Sequence, residues 1–297
     1  LWLNEPRYAQ AASKAAEFIW NSNRKSDNAD GFAGLWRVNL NGSSSVTAGQ
    51  DDYAAYAESL IALYDLTAEK HWLDQATAVT DDMLGRFWDA EHGGLFMSES
   101  AADETDLGPQ IIRPKDGDDG ALPSGNSIAL RVLAQLYRRA DNEVYRQRAE
   151  GLVNAFSSKI ADYPQAFAYM MKGLDELLHG EIGPVAYAAN GHVIIRASRQ
   201  GENVQVTVHM QPGWHIQSHQ PLQENLLPTE VTGLQNIRYP QHTELSLGFS
   251  DQPVAVYQGR IEIIVPGSDA KSVTLSLQAC DDQVCLPPEK ISLPVLH

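Results

Sequence analysis

The two cysteines of this 297-residue chain stand close together near its C-terminus, in Leu277-Gln278-Ala279-Cys280-Asp281-Asp282-Gln283-Val284-Cys285-Leu286-Pro287-Pro288. Four residues separate them, after one strand pattern and before a shorter one ending at Pro294. A turn of that length can bring their Cα atoms within the roughly 4.4–6.8 Å that a disulfide needs. Three chemistries fit this spacing. The pair can be buried, reduced thiols, since cysteine packs as a small hydrophobe. It can be a structural disulfide, although so short a loop restrains little chain entropy. Or it can be a redox-active pair poised for thiol–disulfide exchange. Asp281, Asp282 and Glu289 surround it, with only Lys290 opposing. Carboxylates raise a thiol pKa and suppress the thiolate. That suits a donor that stays unreactive until a partner docks, and it equally suits an inert bridge. Two cysteines make no zinc site without histidine; neither a metal nor an organic cofactor is expected.

A second set of polar residues lies in the first half. Gly49-Gln50-Asp51-Asp52-Tyr53 opens one helical pattern, and Arg113-Pro114-Lys115-Asp116-Gly117-Asp118-Asp119-Gly120-Ala121-Leu122-Pro123-Ser124-Gly125-Asn126-Ser127 opens another. Asp51 or Asp52 paired with Asp119 is a candidate acid and base across a sugar. Tyr53, Arg113, Lys115 and Asn126 are candidate holders of an anionic or polyhydroxylated ligand. The plainer alternative is capping, for which Asp51, Asp52 and Ser124 are well suited at helix N-termini. His71, His92 and His179 are scattered and read as solvated histidines.

These residues need positioning by two different architectures. Up to about residue 180 the apolar spacing is helical, as in Tyr53, Tyr56, Ala57, Leu60, Ile61 and Tyr64. Similar stripes, with an opening helix from about Arg7 to Trp20, predict six helices. Short turns at Leu66–Lys70 and Ala140–Asn142 alternate with long polar stretches at Asn21–Gln50 and Asp89–Pro123. Long connections at every other junction gather at one end of an antiparallel array, where the following helices point their N-termini. After Gly180-Glu181-Ile182-Gly183-Pro184 the period becomes two. Strands at Val193–Arg196, Val204–Val208, Val254–Val265 and Val273–Leu277 suggest an antiparallel β-sandwich. The expected division is a helical-hairpin domain at 1–180, a linker at 181–191 and a β domain at 192–297. The net charge of −16 argues against nucleic acid and anionic lipid as partners. No run of about 18 apolar residues is present to span a membrane.

Two family resemblances join these halves to function. The string from Arg113 to Ser127, the Asp52-Tyr53-Ala54 helix start, and Phe87-Trp88-Asp89 with Gly93-Gly94-Leu95-Phe96 resemble the thioredoxin-plus-helical-barrel family of the YyaL and spermatogenesis-associated type, over roughly residues 5–180. That resemblance implies half of an (α/α)6 toroid like those of six-hairpin glycosidases and epimerases. In the family a thioredoxin-like domain and further hairpins precede this region. The chain, starting at Leu1, is therefore expected to be the C-terminal part of something longer. Pro212-Gly213-Trp214-His215-Ile216, Val256-Tyr257-Gln258-Gly259 and the Cys280…Cys285-Leu286-Pro287-Pro288 segment resemble the N-terminal domain of the thiol:disulfide interchange protein DsbD, over roughly 185–295. This implies an immunoglobulin-like sandwich outside the cytoplasm, in the periplasm. Cys280 and Cys285 would be its redox pair, Cys285 the attacked sulfur, and a thioredoxin-fold protein or domain the partner. An aromatic cap, Tyr239 or Phe249, would shield the pair. The expected function is thiol–disulfide exchange; the alternative is a carbohydrate-binding or carbohydrate-active barrel with the β domain as a docking module.

Overall fold

A computed structural model describes residues 6–26, 32–99, 113–140, 142–181, 183, 185–223, 226–246 and 252–295. Two compact units divide the chain, one reaching Glu181 and the other starting at Ile182. No helix among the described residues is long and apolar enough to cross a membrane.

The first unit contains α1 (Pro6–Ser22), β1 (Arg24–Ser26), β2 (Phe32–Leu40), β3 (Ser43–Thr47), α2 (Gln50–Thr67), α3 (Lys70–Phe87), α4 (Gly125–Ala140), α5 (Glu143–Asp162) and α6 (Ala168–His179). Helix α2 packs on α3 and α4, and α4 packs on α5 and α6. So α2, α4 and α6 form one layer, with α3 and α5 as the returning arms of hairpins. Helices with neighbours on several sides must be apolar on several sides. In α2 this buries Tyr53, Tyr56, Ala57, Leu60, Ile61, Leu63 and Tyr64; in α4, Leu130, Val132, Leu133 and Leu136. Gly125 starts α4 where a Cβ would meet the Gln50 carboxamide at 2.2–2.6 Å, so glycine permits α2 and α4 to approach there.

The stretch expected as a long polar loop, Asn21–Gln50, is instead built around an antiparallel sheet in the order β1-β2-β3. Its hairpin turn is Asn41-Gly42, with φ of 53° and 83°. Both central residues are left-handed, which the Asn-Gly pair tolerates, and such turns match the twist of paired strands. The serine- and asparagine-rich composition hid a strand pattern at Phe32–Leu40.

The second unit contains β4 (Val185–Ala188), β5 (Val193–Gln200), β6 (Asn203–Met210), β7 (His215–Gln217), β8 (Glu230–Thr232), β9 (Thr243–Leu245), β10 (Val254–Gln258), β11 (Arg260–Val265), β12 (Ser272–Leu277), β13 (Ala279–Cys280) and β14 (Glu289–Pro294). Their sheets run β11-β6-β5-β4, β13-β7-β10-β9 and β14-β12-β8. The predicted single strand from Val254 to Val265 breaks at Gly259, whose φ is 64°. There the chain changes sheet, from β10 beside β7 to β11 beside β6. Period-two alternation in β6 buries Val204, Val206, Val208 and Met210. These meet Ile216, Tyr257, Val273, Leu275, Leu277 and Leu293 in one core.

Candidate functional site

Cys280 and Cys285 are joined in a disulfide. They face each other across a hairpin whose flanking hydrogen bonds run from Asp281 N to Val284 O and from Leu286 N to Ala279 O. That pattern makes them a non-hydrogen-bonded antiparallel pair, the arrangement in which opposite Cα atoms come closest. Their Cα atoms are 4.0 Å apart. The Asp281 carboxylate builds the turn by accepting from Gln283 N and Val284 N at 2.8 and 2.7 Å. Those two N–H groups lower its pKa.

Burial splits the pair. Cys280 is fully buried, whereas Cys285 is partly exposed beside the exposed Val284, Pro287 and Pro288. Strand β7 lies between β13 and β10, placing His215 opposite Cys280 and Ile216 opposite Ala279. Because side chains alternate along a strand, Ile216, Ala279 and Tyr257 enter the sandwich core, while His215, Gln217 and Cys280 take the other face. On that face Val254 and Val256 pack against Leu226 and Leu245. Gln217 is fully buried, and its Nε2 donates to Cys280 Sγ at 3.6 Å. His215 is 1% exposed; burial lowers its pKa, with Asp282 and Asp281 pulling the other way.

Tyr239 stacks on His219 at 4.3 Å between centroids, and its hydroxyl accepts from Val231 N. His219 Nδ1 lies 2.6 Å from the Tyr257 hydroxyl, which donates to Pro240 O. The proposed cap tyrosine is thus part of a packed aromatic group. Phe249 lies outside the described residues. Gln217 is the residue that motif reasoning missed, and His215, although part of the resembling motif, was given no role. Their polar-apolar-polar pattern was visible, but the register joining them to Cys280 was not.

The polar candidates of the helical unit are engaged by the protein itself. Tyr53 is fully buried, donating to Asp82 and accepting from Leu35 N. Asp52 accepts from Gly49 N as a cap, and Asp51 pairs with Arg37 at 3.2 Å. Both Asp119 oxygens accept backbone N–H groups, from Ser124 at 3.0 Å and Tyr169 at 2.7 Å. Lys115 binds Asp89 at 2.6 Å, which depresses the Asp89 pKa. Arg113 lies over the Phe96 ring at 4.0 Å. Asn126 is fully buried and bonds Leu95 N, Leu95 O and Asp116 O. Asp51 does line a cleft of about 280 Å³ with Gln50, Asp116, Asp118 and Ser124, but Asp52, Asp119, Lys115 and Asn126 do not line it. The expected acid–base pairing with Asp119 meets a carboxylate already held by two amides. Among the described residues no group of His, Cys, Asp and Glu is arranged to hold a metal ion.

Residues 187–296 match the family model described as thiol:disulfide interchange protein DsbD, N-terminal. The chain is 33% identical to human spermatogenesis-associated protein 20 over 125 residues, which is 42% of this chain and 15% of that protein. The match therefore spans less than a sixth of the relative's length. Among solved structures, the reduced DsbD N-terminal domain of Neisseria meningitidis is 14% identical, covering 37% of this chain and 89% of its own, with a TM-score of 0.29. Cellobiose 2-epimerase from Spirochaeta thermophila is 19% identical over 60% of this chain and 49% of its own, with a TM-score of 0.45. Among the described residues the chain thus joins a unit of six α-helices to a unit of antiparallel sheets, the second lying in the segment that matches the DsbD N-terminal model.

Proposed function

We propose that the β unit is a thiol–disulfide exchange module working outside the cytoplasm, with Cys280 and Cys285 as its redox pair and a thioredoxin-fold protein or domain as its partner. The observation that carries this reading is the unequal burial of the two cysteine residues within a segment matched to the interchange family. A partner thiolate must approach one sulfur in line with the bond it breaks. Cys285, on the outer arm of the hairpin, is the accessible one. Attack of the partner thiolate on Cys285 Sγ forms a partner–Cys285 disulfide and releases Cys280 as a thiolate; the partner's second thiol then resolves the mixed disulfide, so two electrons pass to the cysteine pair. The reverse sequence returns them. A disulfide-bonded pair suits an oxidising compartment. A complex between the DsbD N-terminal and PilB N-terminal domains of Neisseria meningitidis is among the similar structures, in keeping with a protein partner. We propose a helical domain and a β domain that divide at residues 181–182, the segment expected as a linker carrying strand β4 of the β domain. For the carbohydrate alternative no observation speaks as directly, since the paired carboxylates and Asn126 serve the loops.

Single-cysteine trapping tests the reading. With Cys280→Ala, the remaining Cys285 should form a mixed disulfide with a thioredoxin-fold partner; with Cys285→Ala, the buried Cys280 should not. Failure of both variants, or a reduction potential below about −300 mV, the range of structural bridges, would reduce the pair to a staple.

A further inference from the structure

We infer that Gln217 is a further catalytic residue of the β unit, its side-chain N–H holding the Cys280 sulfur as the leaving group of disulfide exchange. This rests on the exchange reading above and adds to it the group that receives the departing charge. Gln217 Nε2 lies 3.6 Å from Cys280 Sγ, and the backbone around it is fixed on both sides. Gln217 N donates to Gln278 O at 3.2 Å, the Thr229 hydroxyl donates to Gln217 O, and Val256 of β10 lies opposite. Its Oε1 has no hydrogen-bond partner among the described residues. A buried amide with an unmatched acceptor is unfavourable, and an apolar side chain of similar volume would avoid that cost. The N–H aimed at sulfur is what the carboxamide offers in return.

The chemistry gives that N–H a differential role. A disulfide sulfur is a weak acceptor, whereas a thiolate makes a charge-assisted hydrogen bond. When a partner thiolate attacks Cys285 Sγ, a new S–S bond forms there. The Cys280–Cys285 bond breaks, and its electron pair leaves on Cys280 Sγ, which later takes a proton from water. The donor at Cys280 therefore binds more strongly as the bond breaks, which lowers the barrier. The turn beside the pair contributes carboxylates, Asp281 and Asp282, which disfavour a departing thiolate. The same bond directs the reaction, making Cys280 the sulfur that leaves and Cys285 the one that is attacked.

The test uses the full chain. Cys285→Ala leaves Cys280 as the sole thiol, so thiolate absorbance titrates that group alone. Adding Gln217→Met, similar in size but without a donor, should raise the Cys280 pKa by about one unit, the roughly tenfold effect of a hydrogen bond to a charged group. In the two-cysteine chain the same substitution should slow reduction by glutathione roughly tenfold. An unchanged pKa and rate would overturn the assignment. Should Gln217→Met not fold, the side-chain amide resonance of Gln217 in the Cys285→Ala chain is the measurement. It should shift as Cys280 titrates, and a resonance indifferent to that titration overturns the assignment equally. A pKa effect in a pair that no thioredoxin-fold protein reduces would sink the exchange reading and leave the hydrogen bond; exchange that ignores Gln217→Met would do the reverse.

Discussion

Asn126 illustrates what a single buried carboxamide does in this chain. Its Oδ1 accepts from Leu95 N at 2.8 Å, and its Nδ2 donates to Leu95 O and Asp116 O at 3.0 and 2.7 Å. It sits at the start of α4 and ties two loop segments to that helix. Asn126→Ala should leave these backbone groups buried without partners, a loss of about 3 kcal/mol or more at about 1–3 kcal/mol per orphaned group. Urea unfolding of the full chain measures it, and an unchanged midpoint would return Asn126 to the ligand-binding role its residue type suggested. The sequence showed that Arg113, Lys115, Asp119 and Asn126 were polar and clustered. It did not show where their hydrogen bonds went, because the partners, such as Leu95 and Tyr169, lie in other segments. Polar side chains at helix N-termini look alike whether they hold a ligand or a loop. Cys280 and Cys285 were legible because both the chemistry and the spacing are local. Gln217 was not, since its contact depends on pairing β7 with a strand 63 residues away.

At the scale of elements, the helical layer is fastened by a buried ion triad. Arg139, at the end of α4 and with its side chain fully buried, bonds Asp65 of α2 at 2.7 Å and Glu181 beyond α6 at 2.6 Å. Removing one partner from a buried ion group leaves charge poorly compensated, typically at a cost of about 3–5 kcal/mol. Arg139→Leu should destabilise the helical unit by about that amount, whereas Arg146→Leu, which breaks exposed pairs on α5, should leave its stability nearly unchanged. Equal effects in denaturant titrations would show that burial is not the deciding factor. Helices were the most legible elements because their apolar stripes repeat over many residues, as Tyr53 to Tyr64 does. The β2–β3 hairpin escaped notice although Asn41-Gly42 is a strong turn signal, since Ser43–Thr47 looks like a loop by composition. Gly42→Val tests the corrected assignment. A β-branched residue at a φ of 83° is strained by about 1–3 kcal/mol, so the melting temperature should fall if the turn is formed as described.

Across the whole molecule, acid should act on the two units in different pH windows. In the β unit His209, His215 and His219 all have pKa values lowered from 6.5, each with burial as the leading cause. Arg196 and Arg260 add to the effect at His209 and His242 at His219, while Asp282 and Asp281 oppose it at His215. Between the folded pKa values and about 6.5, the unfolded chain binds more protons than the native one, so stability rises with pH. These histidines therefore favour the native β unit above about pH 6.5 and withdraw that support as pH falls below it. In the helical unit Asp89 behaves as a carboxylate held by Lys115, with its pKa lowered. Its contribution is present above about pH 4 and is lost only below it. Each unit has its own buried core, one reaching from α2 to α6 and the other within β4–β14. Calorimetry of the full chain from about pH 8 to about pH 5 should therefore move a β-unit transition downward while a helical transition stays nearly fixed. The β transition is identified by its response to a reductant, because the disulfide lies in that unit. His215→Gln should flatten part of the pH dependence by removing one titrating group from the buried face beside Cys280. A reductant-sensitive transition that rises on acidification, or that keeps its full pH slope in His215→Gln, would contradict a buried neutral imidazole at that strand position.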